Sequence, residues 1–77
     1  MYKDLVEYLV KSLVGNTEAA QITEKEVDGR IIITVKVDSA DMGRVIGKDG
    51  RIIKSIREIV RAYSAKNNEK VSVDIEE

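Results

Sequence analysis

Near its middle the chain carries the stretch Val45-Ile46-Gly47-Lys48-Asp49-Gly50-Arg51-Ile52-Ile53, in which two glycines three residues apart interrupt a helical pattern. Glycine tolerates a positive φ and lets the backbone approach another group closely, so this spacing is suited to a tight turn between two helices. The second helix is expected to begin at Gly50 or Arg51, with its first amides free and the positive end of its dipole directed into the turn. Lys48 and Arg51 add full positive charges there. The stretch therefore favours a bound anion such as a phosphate.

The same turn has other interpretations, which differ in the role of its glycines. In the simplest, the two glycines of Gly47-Lys48-Asp49-Gly50 only permit a bend, and nothing binds there. A nucleotide-binding P-loop is excluded, because the Gly-x-x-x-x-Gly-Lys-Ser/Thr spacing is absent and no strand leads into the turn. Asp49 is suited to act as the N-cap of the following helix, yet its negative charge weakens the attraction for phosphate.

Charge is distributed unevenly around this turn. The net charge is −1 overall, but positions 44–61 hold six basic and two acidic residues, a local charge of +4 that leaves −5 for the remainder. The basic residues are Arg44, Lys48, Arg51, Lys54, Arg57 and Arg61. At about 100° per residue, the last three fall within an arc of about 60° on one side of the helix. A basic stripe on an acidic body favours a localised anionic ligand, although a solvated helix face has the same composition.

The N-terminal half predicts a helix followed by a hairpin. Apolar residues recur every three or four positions, and Gly15-Asn16 is typical of a helix end. The residues of this apolar face, which we expect in the core, are Tyr2, Leu5, Val6, Leu9, Leu13 and Val14. Strand-forming residues occupy positions 30–37 strongly and Gln21–Val27 weakly, and Asp28-Gly29 between them is typical of a two-residue hairpin turn. The weaker strand is expected at the edge of the sheet.

The C-terminal half predicts a short helix up to Ile46, a long helix after the turn, and a last strand. The long helix has an apolar stripe, expected in the core, made of Ile52, Ile53, Ile56, Ile59, Val60 and Tyr63. Residues 71–75 alternate between apolar and polar, as in a half-buried strand. The order αββααβ lets the second and third strands pair in parallel across two helices. We therefore predict a two-layer α+β domain, with a three-stranded mixed sheet and all helices on one face.

Composition excludes several classes of protein. The chain has 77 residues and no cysteine or histidine, which removes disulfides, zinc sites of the Cys/His type and nucleophiles activated by histidine. We expect no metal and no cofactor, and an enzyme is the least expected class. No apolar run approaches the ~20 residues of a membrane span and no signal segment opens the chain, so the cytoplasm is the expected compartment.

The run quoted at the start contains V-I-G-x-x-G-x-x-I and resembles the signature of the KH domain. The αββααβ order around it is similar to the type II, bacterial form of that fold, and residues 1–77 then correspond to a single KH domain. KH domains bind single-stranded RNA through a GxxG loop that clamps the backbone of four nucleotides. In this sequence the GxxG loop comprises Gly47, Lys48, Asp49 and Gly50.

The resemblance implies a groove with two walls. One wall consists of the helices on both sides of the GxxG loop, and the other consists of the last strand with a variable loop, here reduced to Asp28-Gly29. The GxxG loop lies against the sugar-phosphate backbone, flanked by the cations Arg44, Arg51, Lys54 and Arg57. Candidates for an apolar floor under the bases, and equally for plain core residues, are Val45, Ile46, Ile53 and Val73. Tyr8 lies off the apolar face of the first helix, where a protein interface is expected rather than base stacking.

These implications predict a non-catalytic RNA-binding protein that acts as an RNA chaperone or post-transcriptional regulator. Asp49, the short second wall and the lack of aromatic residues near the groove favour weak binding, about micromolar, with little sequence selectivity. Useful affinity then requires two domains acting together, and the resemblance implies a homodimer or a heterodimer with a larger, Jag-type (KhpB) KH protein. The alternatives are a protein-interaction module that kept the fold, and a binder of single-stranded DNA.

Overall fold

Helices and strands follow one another in the predicted order. The structure, a computed structural model, describes residues 2–76. Its helices and strands are α1 (Tyr2–Lys11), β1 (Gln21–Val27), β2 (Arg30–Lys36), α2 (Met42–Ile46), α3 (Arg51–Lys66) and β3 (Lys70–Glu76). Short 3₁₀ turns lie at Thr17–Ala19, Ser39–Asp41 and Lys48–Gly50. The αββααβ order and the α+β class are confirmed.

The three strands form one mixed sheet in the order β1-β2-β3. β1 and β2 are antiparallel and joined by a two-residue turn, in which Asp28 (φ 52°) and Gly29 (φ 79°) both adopt the positive φ that this hairpin requires. β3 pairs in parallel with β2 and reaches that position through α2 and α3. The predicted edge position of the weak strand β1 is confirmed, and β3 forms the other edge of the sheet.

The core lies between the sheet and the helices. Ile33 and Val35 of β2 are fully buried, and α1, which packs against β1 and α3, adds to the core a row of residues four apart, Tyr2, Val6 and Val10. The predicted apolar face of the first helix was partly wrong. It omitted Val10, and three leucines that it placed in the core, Leu5, Leu9 and Leu13, are only half-buried. Apolar residues occupy about half of the circumference of α1, more than the sheet beneath it covers.

The apolar stripe of α3 is also wider than the surface that covers it. Ile53, Ile56 and Val60 are buried, whereas Ile59 is 41% and Tyr63 50% exposed. The expectation that Tyr63 belongs to the core is therefore wrong. At about 100° per residue, the two exposed residues lie on one flank of the buried stripe, and Lys54, Arg57 and Arg61 lie on the other flank. Within residues 2–76, no helix combines the length and apolar character needed to cross a membrane.

Side-chain hydrogen bonds hold the helices in place around this core. The buried carboxylate of Asp41, just before α2, accepts hydrogen bonds from the backbone N–H groups of Gly15 and Asn16, both at 3.0 Å. These hydrogen bonds keep the pKa of Asp41 below its ordinary value. The hydroxyl of Tyr2 donates to the carboxylate of Glu69 at 2.6 Å, which joins the start of α1 to the loop before β3 and raises the pKa of the tyrosine. Both ends of the α2–α3 segment are thus fixed to the rest of the domain.

Candidate nucleic-acid interface

The GxxG loop is a left-handed bend between α2 and α3. Gly47 (φ 78°), Asp49 (φ 57°) and Gly50 (φ 73°) all adopt a positive φ, and α3 begins at the next residue, Arg51. At Gly47 the packing also excludes a side chain, because a Cβ atom would lie 2.6 Å from Cγ1 of Ile52. At Gly50 the nearest atom to such a Cβ is 4.0 Å away, so only the backbone conformation favours glycine there. The two glycines therefore serve different purposes.

Two expectations about the backbone of this loop are wrong. The N–H of Gly50 donates to the carbonyl of Gly47 at 3.2 Å and the N–H of Arg51 donates to the carbonyl of Lys48, so neither amide is free. The N-cap of α3 is Gly50 rather than Asp49, and no side chain caps the helix. A 3₁₀ turn forms before α3 and uses these amides, while the left-handed backbone at Asp49 is one that aspartate tolerates. What the loop offers an anion is the positive end of the α3 dipole and the exposed side chain of Lys48.

A cleft of about 420 Å³ runs between α3 and the free edge of β3. Arg57 crosses it, because its Nε donates a hydrogen bond to the carbonyl oxygen of Val73 at 2.9 Å. Arg61 lies one turn further along α3 on the same wall, and Lys70 begins the opposite wall. We call this feature the α3–β3 cleft. Like the predicted groove it lies between the long helix and the last strand, but of the predicted site residues only Arg57 and Val73 line it, and none of the GxxG loop does.

The four predicted flanking cations do not share one surface. Lys54 is exposed on the same side of α3 as Arg57, and these two lie along the α3–β3 cleft side of the helix. Arg44 instead reaches back to Asp41, with 3.6 Å between Nη1 and Oδ1. Arg51 lies beside a different groove, between α1 and α3. The spacing of basic residues along the sequence indicated a single patch. In the structure, Arg51 and Arg57 lie on different sides of α3, so the four cations are divided between separate surfaces.

Three of the four candidates for an apolar floor are core residues. Val45 is fully buried, and Ile53 and Val73 are 7% and 2% exposed, so their side chains are out of reach of a base. Ile46, at the end of α2, is half-buried and remains a candidate. Of the alternatives that the sequence left open for these residues, burial in the core is therefore the one found for all but Ile46.

The second wall of the α3–β3 cleft also differs from the expectation. The Asp28-Gly29 turn is not among the residues that line it, and the loop between α3 and β3 contributes Glu69 instead. Sequence reasoning missed two basic lining residues, Arg30 and Lys70, and counted Arg61 in the basic stripe without assigning it to the site. Arg30 and Lys70 are brought together only by the pairing of β2 with β3. The sole signal in the sequence was the position of Lys70 just ahead of the last strand.

A second, apolar groove of about 480 Å³ lies between α1 and α3, and we call it the α1–α3 groove. Tyr8, 71% exposed, stands at one side of it and Ile59 at the other, with Leu9 and Ile52 between them. The exposure of Tyr8 agrees with its predicted position off the core.

Within residues 2–76, no three carboxylates are grouped so that they could hold a metal ion.

The comparison with protein families gives a match over almost the whole chain. Residues 3–75 match the family model described as the KhpA/KhpB KH domain. The chain belongs to the KhpA/KhpB KH-domain family. The resemblance to KH domains, stated from the Val45–Ile53 run and the element order, is confirmed, and membership of this family supports a binding protein rather than an enzyme.

Curated relatives in this family are similar along almost their whole length. A protein of Clostridium perfringens is 48% identical over 73 residues, covering 95% of this chain and 97% of the relative. A protein of Aquifex aeolicus is 40% identical, covering 95% of this chain and 92% of the relative. A protein of Listeria monocytogenes is 43% identical, covering 95% and 96%. All three are named RNA-binding protein KhpA.

Among solved structures, the protein Era contains the same fold. A crystal structure of Era with MgGDPNP and nucleotides 1506–1542 of 16S ribosomal RNA matches with a TM-score of 0.63 at 16% identity, covering 96% of this chain and 28% of Era. Aquifex aeolicus Era bound to GDP and aluminium fluoride matches with a TM-score of 0.59 at 19% identity, covering 96% and 29%. The chain thus spans less than a third of either Era chain. At these identities the likeness shows the KH fold alone.

Proposed function

We propose that this KhpA/KhpB-family protein binds single-stranded RNA without catalysing a reaction, and acts as an RNA chaperone or post-transcriptional regulator. The backbone of the strand lies on the GxxG loop and its bases turn toward the α3–β3 cleft. The observation that carries this proposal is the left-handed loop at the start of α3, which leads directly onto the basic side of that helix. The names of the relatives as RNA-binding proteins support it.

The binding is weak and has little sequence selectivity. Asp49 places a negative charge in the loop, and no aromatic side chain is among those that line the α3–β3 cleft. Base stacking on aromatic rings, which contributes roughly 1–3 kcal/mol per base in other single-strand binders, is therefore lacking. We expect dissociation constants of about micromolar or weaker. Because phosphate contacts dominate the binding, we expect added salt to lower the affinity.

The test exchanges the charge at the loop tip without disturbing the fold. Lys48 is exposed, so Lys48→Asp is expected to fold normally and to lower the affinity for a uridine tetranucleotide about tenfold or more. Lys11→Asp, on α1, is the matched control and keeps the wild-type affinity. Chemical-shift titration followed by NMR measures such weak binding and reports folding in the same spectra. An unchanged affinity in folded Lys48→Asp would remove the loop from the binding site.

The same titration with a deoxyuridine tetranucleotide separates RNA from single-stranded DNA. The backbone phosphates are common to both ligands, whereas the 2′-hydroxyl is present in RNA alone. RNA is expected to bind more tightly, and equal or tighter binding of DNA would favour the alternative ligand.

A second part of the proposal concerns the partner of the domain. Exposed apolar side chains at Tyr8, Ile59 and Tyr63 border the α1–α3 groove and its flank, which favours a protein surface there. We propose that two copies of this chain, or this chain and a KhpB-type KH protein, pair through that surface and present two RNA sites together.

Substitution of Ile59 by aspartate tests the pairing. Because Ile59 is 41% exposed and does not close the core, Ile59→Asp is expected to fold and to be monomeric in sedimentation at concentrations at which the native chain is a dimer. Glu58→Asp, next to it on an exposed position, serves as the control and stays dimeric. A native chain that is monomeric in isolation and does not bind a KhpB-type protein would overturn this part.

A further inference from the structure

The end of the α3–β3 cleft that lies away from the GxxG loop carries its own group of cations. Arg30 in β2 and Lys70 in β3 are directly paired across the parallel ladder, which places their backbones about 4.8 Å apart. Arg61 of α3 lines the same end of the cleft. We call these three residues the far-end cations. They come from three elements, so the arrangement exists only in the folded domain.

The far-end cations form no ion pair in the part of the chain that the structure describes. Within residues 2–76, no carboxylate lies within 4.0 Å of the charged nitrogens of Arg30, Arg61 or Lys70, and the ion pairs found there involve Lys11 and Arg44. Two positive side chains on paired residues of neighbouring strands repel each other, at a cost in stability. An anion bound between them would remove that cost.

The acidic residues of the cleft do not neutralise this end. Of the six charged side chains that line it, four are basic and two acidic, a net charge of +2. One of the acids, Glu69, accepts the hydrogen bond of the Tyr2 hydroxyl at 2.6 Å and is directed to α1. The other, Asp74, lies further along β3 toward the GxxG loop. The positive potential is therefore concentrated at Arg30, Arg61 and Lys70.

The distance between the GxxG loop and the far-end cations indicates which anion these cations bind. Arg61 lies eleven positions after Gly50, about 16 Å along the axis of α3. A GxxG loop clamps a segment of four nucleotides, and a strand that leaves this segment along the cleft passes Arg57 before it reaches the far-end cations. Arg57 uses Nε for the carbonyl of Val73, which leaves its terminal nitrogens for a passing strand.

We infer that Arg30, Arg61 and Lys70 form a second phosphate-binding site, which holds the backbone of the same single strand beyond the four nucleotides on the GxxG loop. This inference rests on the proposed function and extends its ligand from a tetranucleotide to a longer strand. It assigns the far-end site to phosphate rather than to a base, because the three side chains are donors and carry charge.

The experiment lengthens the backbone without adding bases. The probe is a uridine tetranucleotide extended by four abasic phosphodiester units at its 3′ or its 5′ end, and the control probe carries an uncharged glycol tail of the same length. An abasic tail has no bases that the protein could bind, so a gain in affinity comes from its phosphates. The expected gain over the glycol probe is about tenfold for one of the two ends, and the dependence of log K on log salt steepens by ~0.7 per phosphate contacted.

Substitutions then show which residues cause the gain in affinity from the abasic tail. Arg61 and Lys70 are exposed, and Arg61→Gln and Lys70→Gln are each expected to reduce several-fold the gain of the abasic-tail probe over the glycol probe, both measured on the same variant. Lys11→Gln on α1 makes the same change of charge away from the cleft and keeps the gain. No gain from either abasic tail, or a gain that survives both variants, overturns the second site and leaves the proposed function intact. If the bare tetranucleotide does not bind the native chain at all, the proposed function fails and the second site fails with it.

Discussion

Nε of Arg57 in α3 donates a hydrogen bond to the carbonyl oxygen of Val73 in β3, at 2.9 Å. β3 is an edge strand, one side of which has no neighbouring strand, and the arginine gives its backbone a hydrogen-bond donor from the helix. The long helix and the last strand, which form the two walls of the α3–β3 cleft, are thus joined by one side chain that also brings a positive charge into the cleft.

Two substitutions at Arg57 separate its hydrogen bond from its charge. Arg57→Lys keeps the charge but lacks Nε and the planar fork, whereas Arg57→Gln loses the charge. Both are expected to lower the free energy of unfolding by about 1 kcal/mol, the usual contribution of one such hydrogen bond. Only Arg57→Gln is expected to lower RNA affinity severalfold and to reduce the salt dependence of binding by ~0.7. Urea unfolding and RNA titration at several salt concentrations measure the two effects, and a parallel fall in salt dependence for Arg57→Lys would contradict this division.

The two glycines of the GxxG loop are expected to tolerate alanine unequally. At Gly47 a methyl group meets Ile52 at 2.6 Å on a backbone of positive φ, so Gly47→Ala is expected to cost about 3 kcal/mol. At Gly50 only the backbone is unfavourable, and the cost is about 1 kcal/mol. Gly43 in α2 is the control, since nothing lies within 4 Å and Gly43→Ala is expected to stabilise by about 0.5–1 kcal/mol. Urea unfolding of the three variants gives the order, and equal costs at Gly47 and Gly50 would show that the contact with Ile52 is relieved.

Removing the negative charge from the loop is expected to strengthen RNA binding. Asp49 is exposed, and asparagine tolerates its left-handed backbone equally well, so Asp49→Asn changes charge with little effect on stability. We expect the affinity for single-stranded RNA to rise about threefold at low salt and the difference to shrink as salt screens the loop. Glu58→Gln, an exposed acid of α3, is the control with the same change of net charge. An equal rise in both variants would assign the effect to overall charge rather than to the loop.

Asp41 is expected to make stability depend on pH in the acid range. Hydrogen bonds from the backbone N–H groups of Gly15 and Asn16 lower the pKa of its carboxyl group in the folded state. A lowered folded-state pKa stabilises the fold above the unfolded pKa, and this contribution is lost as the pH falls below about 4. Asp41→Asn is therefore expected to melt at a lower temperature than the native chain at pH 7, with the difference shrinking toward pH 3.

The control for that series is Asp28→Asn, at an exposed hairpin position where asparagine suits the positive φ. Its melting temperature is expected to follow that of the native chain at every pH. A difference between Asp41→Asn and the native chain that does not change with pH would mean that shape rather than charge is responsible.

Local patterns in the sequence predicted the elements and the loop correctly. The turn at Asp28-Gly29 and the glycines at 47 and 50 were recognised because positive φ is a property of single residues, and the structure has all four positions in that region. The alternation in the last strand and the periodicity of α3 located those elements for the same reason, since each repeat is set by neighbours a few positions apart.

Predictions that needed distances between elements were less successful. Tyr63 continues the apolar stripe of α3, but it lies on a flank where the described residues leave it 50% exposed. The amides of Gly50 and Arg51 were expected to be free, and a 3₁₀ turn uses both. Arg44 and Arg51 belong to the basic run, but a contact with Asp41 and a position beside α1 remove them from the α3–β3 cleft.

Residue order therefore settled the secondary structure, the αββααβ order and the family, because these follow from interactions within a few residues and from one short glycine motif. The composition of the cleft came from packing: strand register paired Arg30 with Lys70, and the rotation of α3 on the sheet turned Arg57 to Val73 and left Ile59 outside. Register and rotation depend on how distant segments bury their apolar faces together, a free-energy balance that no local stretch contains.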